Sequence, residues 1–159
     1  MDEKTDISCL SARRQLELLD SQVKDSVDKG AKVMTGGKVI KDNFYAPTIL
    51  TDIDRDMRVW KEEVFGPVLP VIPFKTEDEA VMLANDTQYG LGSRIFCSDK
   101  EKARRIASRI QAGTVEINDV SRWIPQNPFG GYKKSGMGRE HGIIGLRQLC
   151  QVKVIAEEK

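Results

Sequence analysis

The sequence is poor in the residues on which much catalytic chemistry rests. Among its 159 residues there is one histidine, His141, so no second imidazole is at hand as a base or metal ligand, which removes most triad and zinc-site readings. His141 is read as a surface or helix-start residue. The cysteines are three, Cys9, Cys97 and Cys150, without CxxC spacing; an odd, scattered set suits free thiols in a reducing compartment better than a disulfide framework. No run of like charge makes a patch, and 25 basic against 24 acidic side chains leave a formal charge of +1, which argues against nucleic acid and anionic membrane surfaces as partners. Long apolar runs are missing too, and the start Met1-Asp2-Glu3-Lys4 has no apolar h-region; the expectation is a soluble, cytoplasmic protein without a membrane span. Internal repeats and low-complexity linkers are also lacking.

Two glycine-dense stretches fail as nucleotide-binding fingerprints. At Gly37-Lys38 the first glycine of a phosphate loop would have to stand where Lys32 is, and Val39 takes the Ser/Thr position. At Gly136-Met137-Gly138 the third glycine is replaced by His141, and no strongly apolar strand leads directly in.

What the chain does have is alternating periodicity. Ala12, Leu16, Leu19, Val23 and Val27 mark an amphipathic helix, with Ser11 as N-cap and Gly30 as stop. Residues 31–40 read as two short strands joined at glycines, and Phe44–Leu50 as an edge or terminal strand because of Pro47. Asp52–Trp60 reads as a short helical or irregular link, and Val68–Phe74, with two prolines, as a strand that has a free edge or a break. Thr76-Glu77-Asp78-Glu79 and Ser98-Asp99-Lys100-Glu101 are capping boxes opening two further helices. Between and after them come strands at Ser93–Phe96 and Thr114–Ile117. A final helix carries Ile143, Leu146 and Leu149, and Val152–Ile155 alternates as a closing strand. The alternation predicts an α/β fold, a layered, mostly parallel sheet with flanking helices.

The stretch Glu62-Glu63-Val64-Phe65-Gly66-Pro67-Val68 sets paired acids before an aromatic, a glycine and a proline. Pro67 restricts its predecessor and cannot donate to a ladder, so Glu63 and Phe65 fall on a loop at a strand entrance. A carboxylate and a ring so placed can hold sugar hydroxyls and cover a flat heterocycle. Taken locally, an exposed acidic turn with one core phenylalanine is the simpler alternative. The long loop 118–128 holds Arg122 and Trp123. Such a loop at a strand end suits ligand contacts, with a Trp plugging the core as the equal alternative.

Four stretches together carry more. Glu62–Val68, Ala84-Asn85-Asp86-Thr87-Gln88-Tyr89-Gly90-Leu91, Ala112-Gly113-Thr114-Val115-Glu116-Ile117-Asn118 and Pro128-Phe129-Gly130-Gly131-Tyr132-Lys133-Lys134-Ser135-Gly136 resemble, in this order, the C-terminal portion of the NAD(P)-dependent aldehyde dehydrogenase superfamily, from about Asp6 to Ile155. The resemblance implies that Glu63 holds the nicotinamide ribose hydroxyls and that Phe65 lies beside the nicotinamide ring. It likewise implies that Arg122 and Trp123 sit in the substrate-entrance loop and that Phe129 lines the aldehyde tunnel. It divides the chain into a partial catalytic domain, 1–150, and a C-terminal strand and tail of the oligomerisation region, 151–159.

In the intact family a cysteine attacks the aldehyde, a glutamate acts as general base, and a separate domain binds most of the NAD or NADP. None of the three cysteines resembles that nucleophile. The expectation is a fragment that is inactive alone and binds no cofactor by itself. The alternatives are one chain of a split enzyme, completed by an N-terminal half, or a non-catalytic binding or assembly module. Self-association or a complementary partner is expected in each. A small aldehyde is a substrate only of the intact enzyme, and Arg122 is compatible with a carboxylate-bearing semialdehyde.

Overall fold

The structure, a computed structural model, describes residues 5–120 and 124–158. The chain divides into two compact units, Met1–Pro73 and Phe74–Lys159.

The first unit is built on α1 (Arg13–Asp28), which buries Leu16, Leu19, Gln22, Val23 and Ser26 on one side. That side packs with Ala31, Tyr45, Leu50, Met57 and Val59 into one apolar core. Ala12, not Ser11, is the N-cap of α1, and it caps without a side-chain bond. Strands β1 (Lys32–Thr35) and β4 (Thr48–Thr51) pair antiparallel, and β4 pairs parallel with β5 (Val68–Pro70), so that β4 is central. A hairpin of β2 (Val39–Lys41) and β3 (Phe44–Tyr45) stands beside this sheet in sequence. The single edge strand expected over 44–50 is therefore two strands, with Ala46 and Pro47 between them; the missing Pro47 amide is spared a place in the ladder. At Gly36, φ is +73°, and an added Cβ would stand 2.2 Å from the Pro47 carbonyl oxygen, so only glycine suits this turn. The short helix α2 (Arg58–Lys61) leads from β4 toward the 62–67 loop and β5.

In the second unit α3 (Glu77–Asn85) starts at Thr76, whose hydroxyl accepts from the Glu79 amide, the expected cap. Helix α4 (Lys100–Ala107) is capped by Asp99 rather than Ser98. Strands β7 (Gly92–Ile95) and β8 (Thr114–Ile117) pair parallel across α4, while β6 (Tyr89–Gly90) pairs antiparallel with β9 (Tyr132–Lys133). Helix α5 (Gly142–Gln148) closes the unit.

The expectation of one layered, mostly parallel sheet is corrected. The described strands form small sheets, and only β4–β5 and β7–β8 are parallel. Both parallel pairs are linked through a helix, as such pairs require, while β1–β4 and β2–β3, joined without one, pair antiparallel. The closing strand expected at Val152–Ile155 is likewise not formed: no ladder includes these residues, and Val152, Val154 and Ile155 are 92%, 85% and 86% exposed. Alternation makes a strand only where a second strand supplies the hydrogen bonds.

Candidate functional site

Beyond α2 the chain runs extended, Glu62 having φ −110° and ψ 156°. Two amides of α1 hold this segment. Gln15 donates from Nε2 to the Phe65 carbonyl at 3.0 Å. Gln22 donates from Nε2 to the Glu63 carbonyl at 3.1 Å and to Glu62 Oε2 at 3.0 Å. Positions seven apart lie on one helix stripe, and residues two apart in an extended chain turn the same way, so the two partners meet in register. Leu19 lies between the two glutamines on this stripe. An added Cβ at Gly66 would come to 2.4 Å from Leu19 Cδ2, so the loop rests directly on that side chain.

With their carbonyls tied to α1, Glu63 and Phe65 present side chains outward. Glu63 is exposed, and Phe65 is 66% exposed. Phe65 is thus not the core phenylalanine of the simpler local alternative, because the backbone bonds leave its ring in solvent. The neighbouring acid behaves differently. Glu62 accepts from Arg58 Nε and Nη2, each at 2.8 Å. The Arg58 guanidinium, and after it the Gln22 amide, hold the Glu62 carboxyl below the usual glutamate range. Arg58 also donates to Ser21 Oγ at 2.9 Å, and its backbone amide donates to Asp25 Oδ2 at 3.0 Å, which lowers the Asp25 carboxyl in turn. Of the paired acids, Glu62 is tied to Arg58 and Gln22, while Glu63 is exposed.

Phe129 lies in the second unit. Its amide and carbonyl pair with Glu140 at 2.8 Å each way, and its ring centroid is 6.3 Å from that of His141. Both rings border a concavity of ≈ 640 Å³ whose walls include Leu91, Ser93, Thr114 and Ile124. His141 is the N-cap residue of α5, with φ 63° and no side-chain cap bond, as a helix-start residue was expected to be. Gly113 lets β8 approach the Phe129 turn: an added Cβ there would lie 1.7 Å from the Gly130 carbonyl oxygen. Arg122 and Trp123 lie outside the described residues. The structure thus brings Glu63 and Phe65 together on one loop, and it places Phe129 in the other unit beside a cavity.

The sequence reading missed Gln15, Gln22 and Arg58. The available signal was polarity in the wrong place, since Gln22 falls on the same side of the helix as Leu16, Leu19 and Val23. No group of three or more His, Cys, Asp or Glu among the described residues is arranged to hold a metal. No helix among them is long and apolar enough to cross a membrane.

An outward carboxylate and an outward ring thus stand on one fastened loop, in a unit built of small mixed α/β sheets. The sequence model of the aldehyde dehydrogenase family matches residues 1–155, and the chain belongs to that family. It is 47% identical over 141 residues to betaine aldehyde dehydrogenase of Bacillus subtilis, which covers 85% of this chain and 29% of that protein. Among solved structures it is similar to an NAD-dependent aldehyde dehydrogenase from Sinorhizobium meliloti, with TM-score 0.90 and 40% identity, covering 96% of this chain and 31% of that one. It is also similar to betaine aldehyde dehydrogenase from Staphylococcus aureus in complex with NAD+, with TM-score 0.87 and 39% identity, over 93% and 30% of the respective chains. The chain therefore spans about a third of the length of these relatives.

Proposed function

We propose that these residues are the C-terminal portion of an NAD(P)-dependent aldehyde dehydrogenase, which oxidises an aldehyde to a carboxylate. The observation that carries the reading is the outward pair Glu63 and Phe65 on a loop whose backbone is tied to α1. An ionised carboxylate accepts from adjacent hydroxyls, so Glu63 holds the nicotinamide ribose. The exposed Phe65 ring packs beside the nicotinamide and gains buried area when it does so. Bound NAD(P)+ would supply the hydride acceptor; this chain's part is to hold and orient one end of it. Phe129, beside its cavity, contributes an apolar wall for the aldehyde, and Arg122 and Trp123 belong to the entrance loop.

By themselves the 159 residues are inactive. Cys9 and Cys150 are exposed thiols, and Cys97 lies two residues beyond β7 with its amide bonded to Asn118 Oδ1 at 2.8 Å. On this reading none of the three is the family's activated nucleophile, which needs an adjacent base. Catalysis then needs the remainder of the family's fold, in the same chain or in a partner. A second role, in assembly, is favoured by the exposed apolar residues Leu149, Val152, Val154 and Ile155, of which Val152 and Val154 alternate with polar neighbours as in a strand open to pairing.

Thermal unfolding of the chain with and without NAD+ tests the cofactor reading. Glu63 and Phe65 hold one end of the molecule only, so no measurable saturable shift is expected. A saturable rise in the midpoint would contradict the half-site description, since ligand stabilisation follows directly from affinity.

A further inference from the structure

We propose that Gln22 is a positioning residue, retained to set the conformation of the Glu63–Phe65 loop and not to stabilise the core. It is 1% exposed and lies among Leu16, Leu19 and Val23 on the buried side of α1. An amide at such a place costs stability unless every polar atom is paired. Here the account is incomplete: Nε2 serves both Glu62 Oε2 and the Glu63 carbonyl, while Oε1 is buried and has no hydrogen-bond partner among the described residues. An apolar side chain of similar volume would avoid that orphan acceptor, and the partners it frees, on the exposed Glu62 and Glu63, are open to water and so carry little of the cost of a buried unpaired group.

What the apolar side chain would lose is direction. Gln22 is the one side chain that joins α1 to both of the paired acids, binding the carboxylate of the first and the backbone of the second. The carboxylate of Glu62 remains fastened by Arg58 without it. For the Glu63 carbonyl the Gln22 bond is the one support among the described residues, and the Glu63 side chain is exposed. Gln22 thereby sets which way Glu63 faces, while Gln15 does the same at Phe65.

The inference rests on the cofactor reading for its purpose, and on geometry alone for the positioning. In Gln22→Leu, backbone mobility of residues 62–66, read by 15N relaxation, rises clearly while the urea midpoint of the chain stays at the parent value. Gln22→Met serves as the second apolar variant. Unchanged mobility in the segment would overturn the positioning role. So would a rise matched by an equal loss of global stability in both variants, or failure of both to unfold cooperatively, since each assigns Gln22 to the core. Purpose is read separately, in an enzyme joining these residues to the remaining two-thirds of the Bacillus subtilis relative. There Gln22→Leu raises KM for NAD+ several-fold with kcat unchanged, the pattern of lost uniform binding. A looser segment with unchanged KM would keep the positioning and overturn the cofactor purpose.

Discussion

Replacing Gly113 by alanine tests the close approach that builds the Phe129 side of the site. The φ of this residue is not in the left-handed region, so the constraint is space alone. An added Cβ would lie 1.7 Å from the Gly130 carbonyl oxygen, 2.8 Å from its carbonyl carbon and 3.4 Å from the Leu91 carbonyl oxygen. Ordinary contact needs roughly 3.5 Å, so the backbone must part by about 2 Å, and no side chain can give way instead. Overpacking of this kind costs about 1–3 kcal/mol and at times more; a backbone obstacle argues for roughly 3 kcal/mol. At about 2–4 °C per kcal/mol for a chain of this length, the midpoint falls by roughly 6–12 °C. Gly92→Ala is the internal control, since nothing lies within 4 Å of its added Cβ; less freedom in the unfolded chain should leave it level or about 0.4–1 kcal/mol more stable. Thermal unfolding followed by circular dichroism compares the two. A Gly113→Ala protein melting with the parent, or a Gly92→Ala protein falling as far, would refute the steric reasoning.

Two further outcomes follow from the clamp and from the tail. The Glu62 carboxyl is held below its ordinary range in the folded chain, so its contribution to stability is present above the unfolded-state pKa and is lost as pH falls through the lower folded value. The gap in urea midpoint between parent and Glu62→Gln should accordingly close on acidification below the usual glutamate range, and a gap independent of pH would contradict the Arg58–Glu62–Gln22 linkage. Size-exclusion chromatography should show self-association that Val154→Asp weakens, because the alternating apolar residues 152–155 are open to a second strand; a clean monomer would contradict the assembly role.

Helices were the legible part of the fold. The spacing of Leu16, Leu19 and Val23 marked α1, and Thr76 with Glu79 marked the start of α3, because these signals are local. Sheet order was less legible. Whether β1 pairs with β4 parallel or antiparallel depends on long-range geometry that the alternation of Val33 or Ile49 does not encode. The strand at 152–155 failed for a related reason, since a period-two pattern states which face is apolar and not where the pairing partner is. At the site, Glu63 and Phe65 stood out through the Phe-Gly-Pro punctuation that follows the acids. Their support did not, because a glutamine on an apolar helix face reads as an irregularity until the structure shows the carbonyls it binds. The different surroundings of Glu62 and Glu63 were also hidden: adjacent acids look equivalent until Arg58 is seen to claim one of them.

The central claim is that Glu63, presented by the α1 clamp, is a nicotinamide-ribose contact of an aldehyde dehydrogenase. The direct measurement is the kinetics of an enzyme in which these residues replace the corresponding third of the Bacillus subtilis relative, with Glu63 and with Glu63→Gln. A hydrogen bond to a charged acceptor is worth about 1.5–3 kcal/mol, and each 1.36 kcal/mol is tenfold, so kcat/KM for NAD+ should fall roughly 10–100-fold in Glu63→Gln. Equal kcat/KM for NAD+ in the two enzymes would contradict the claim.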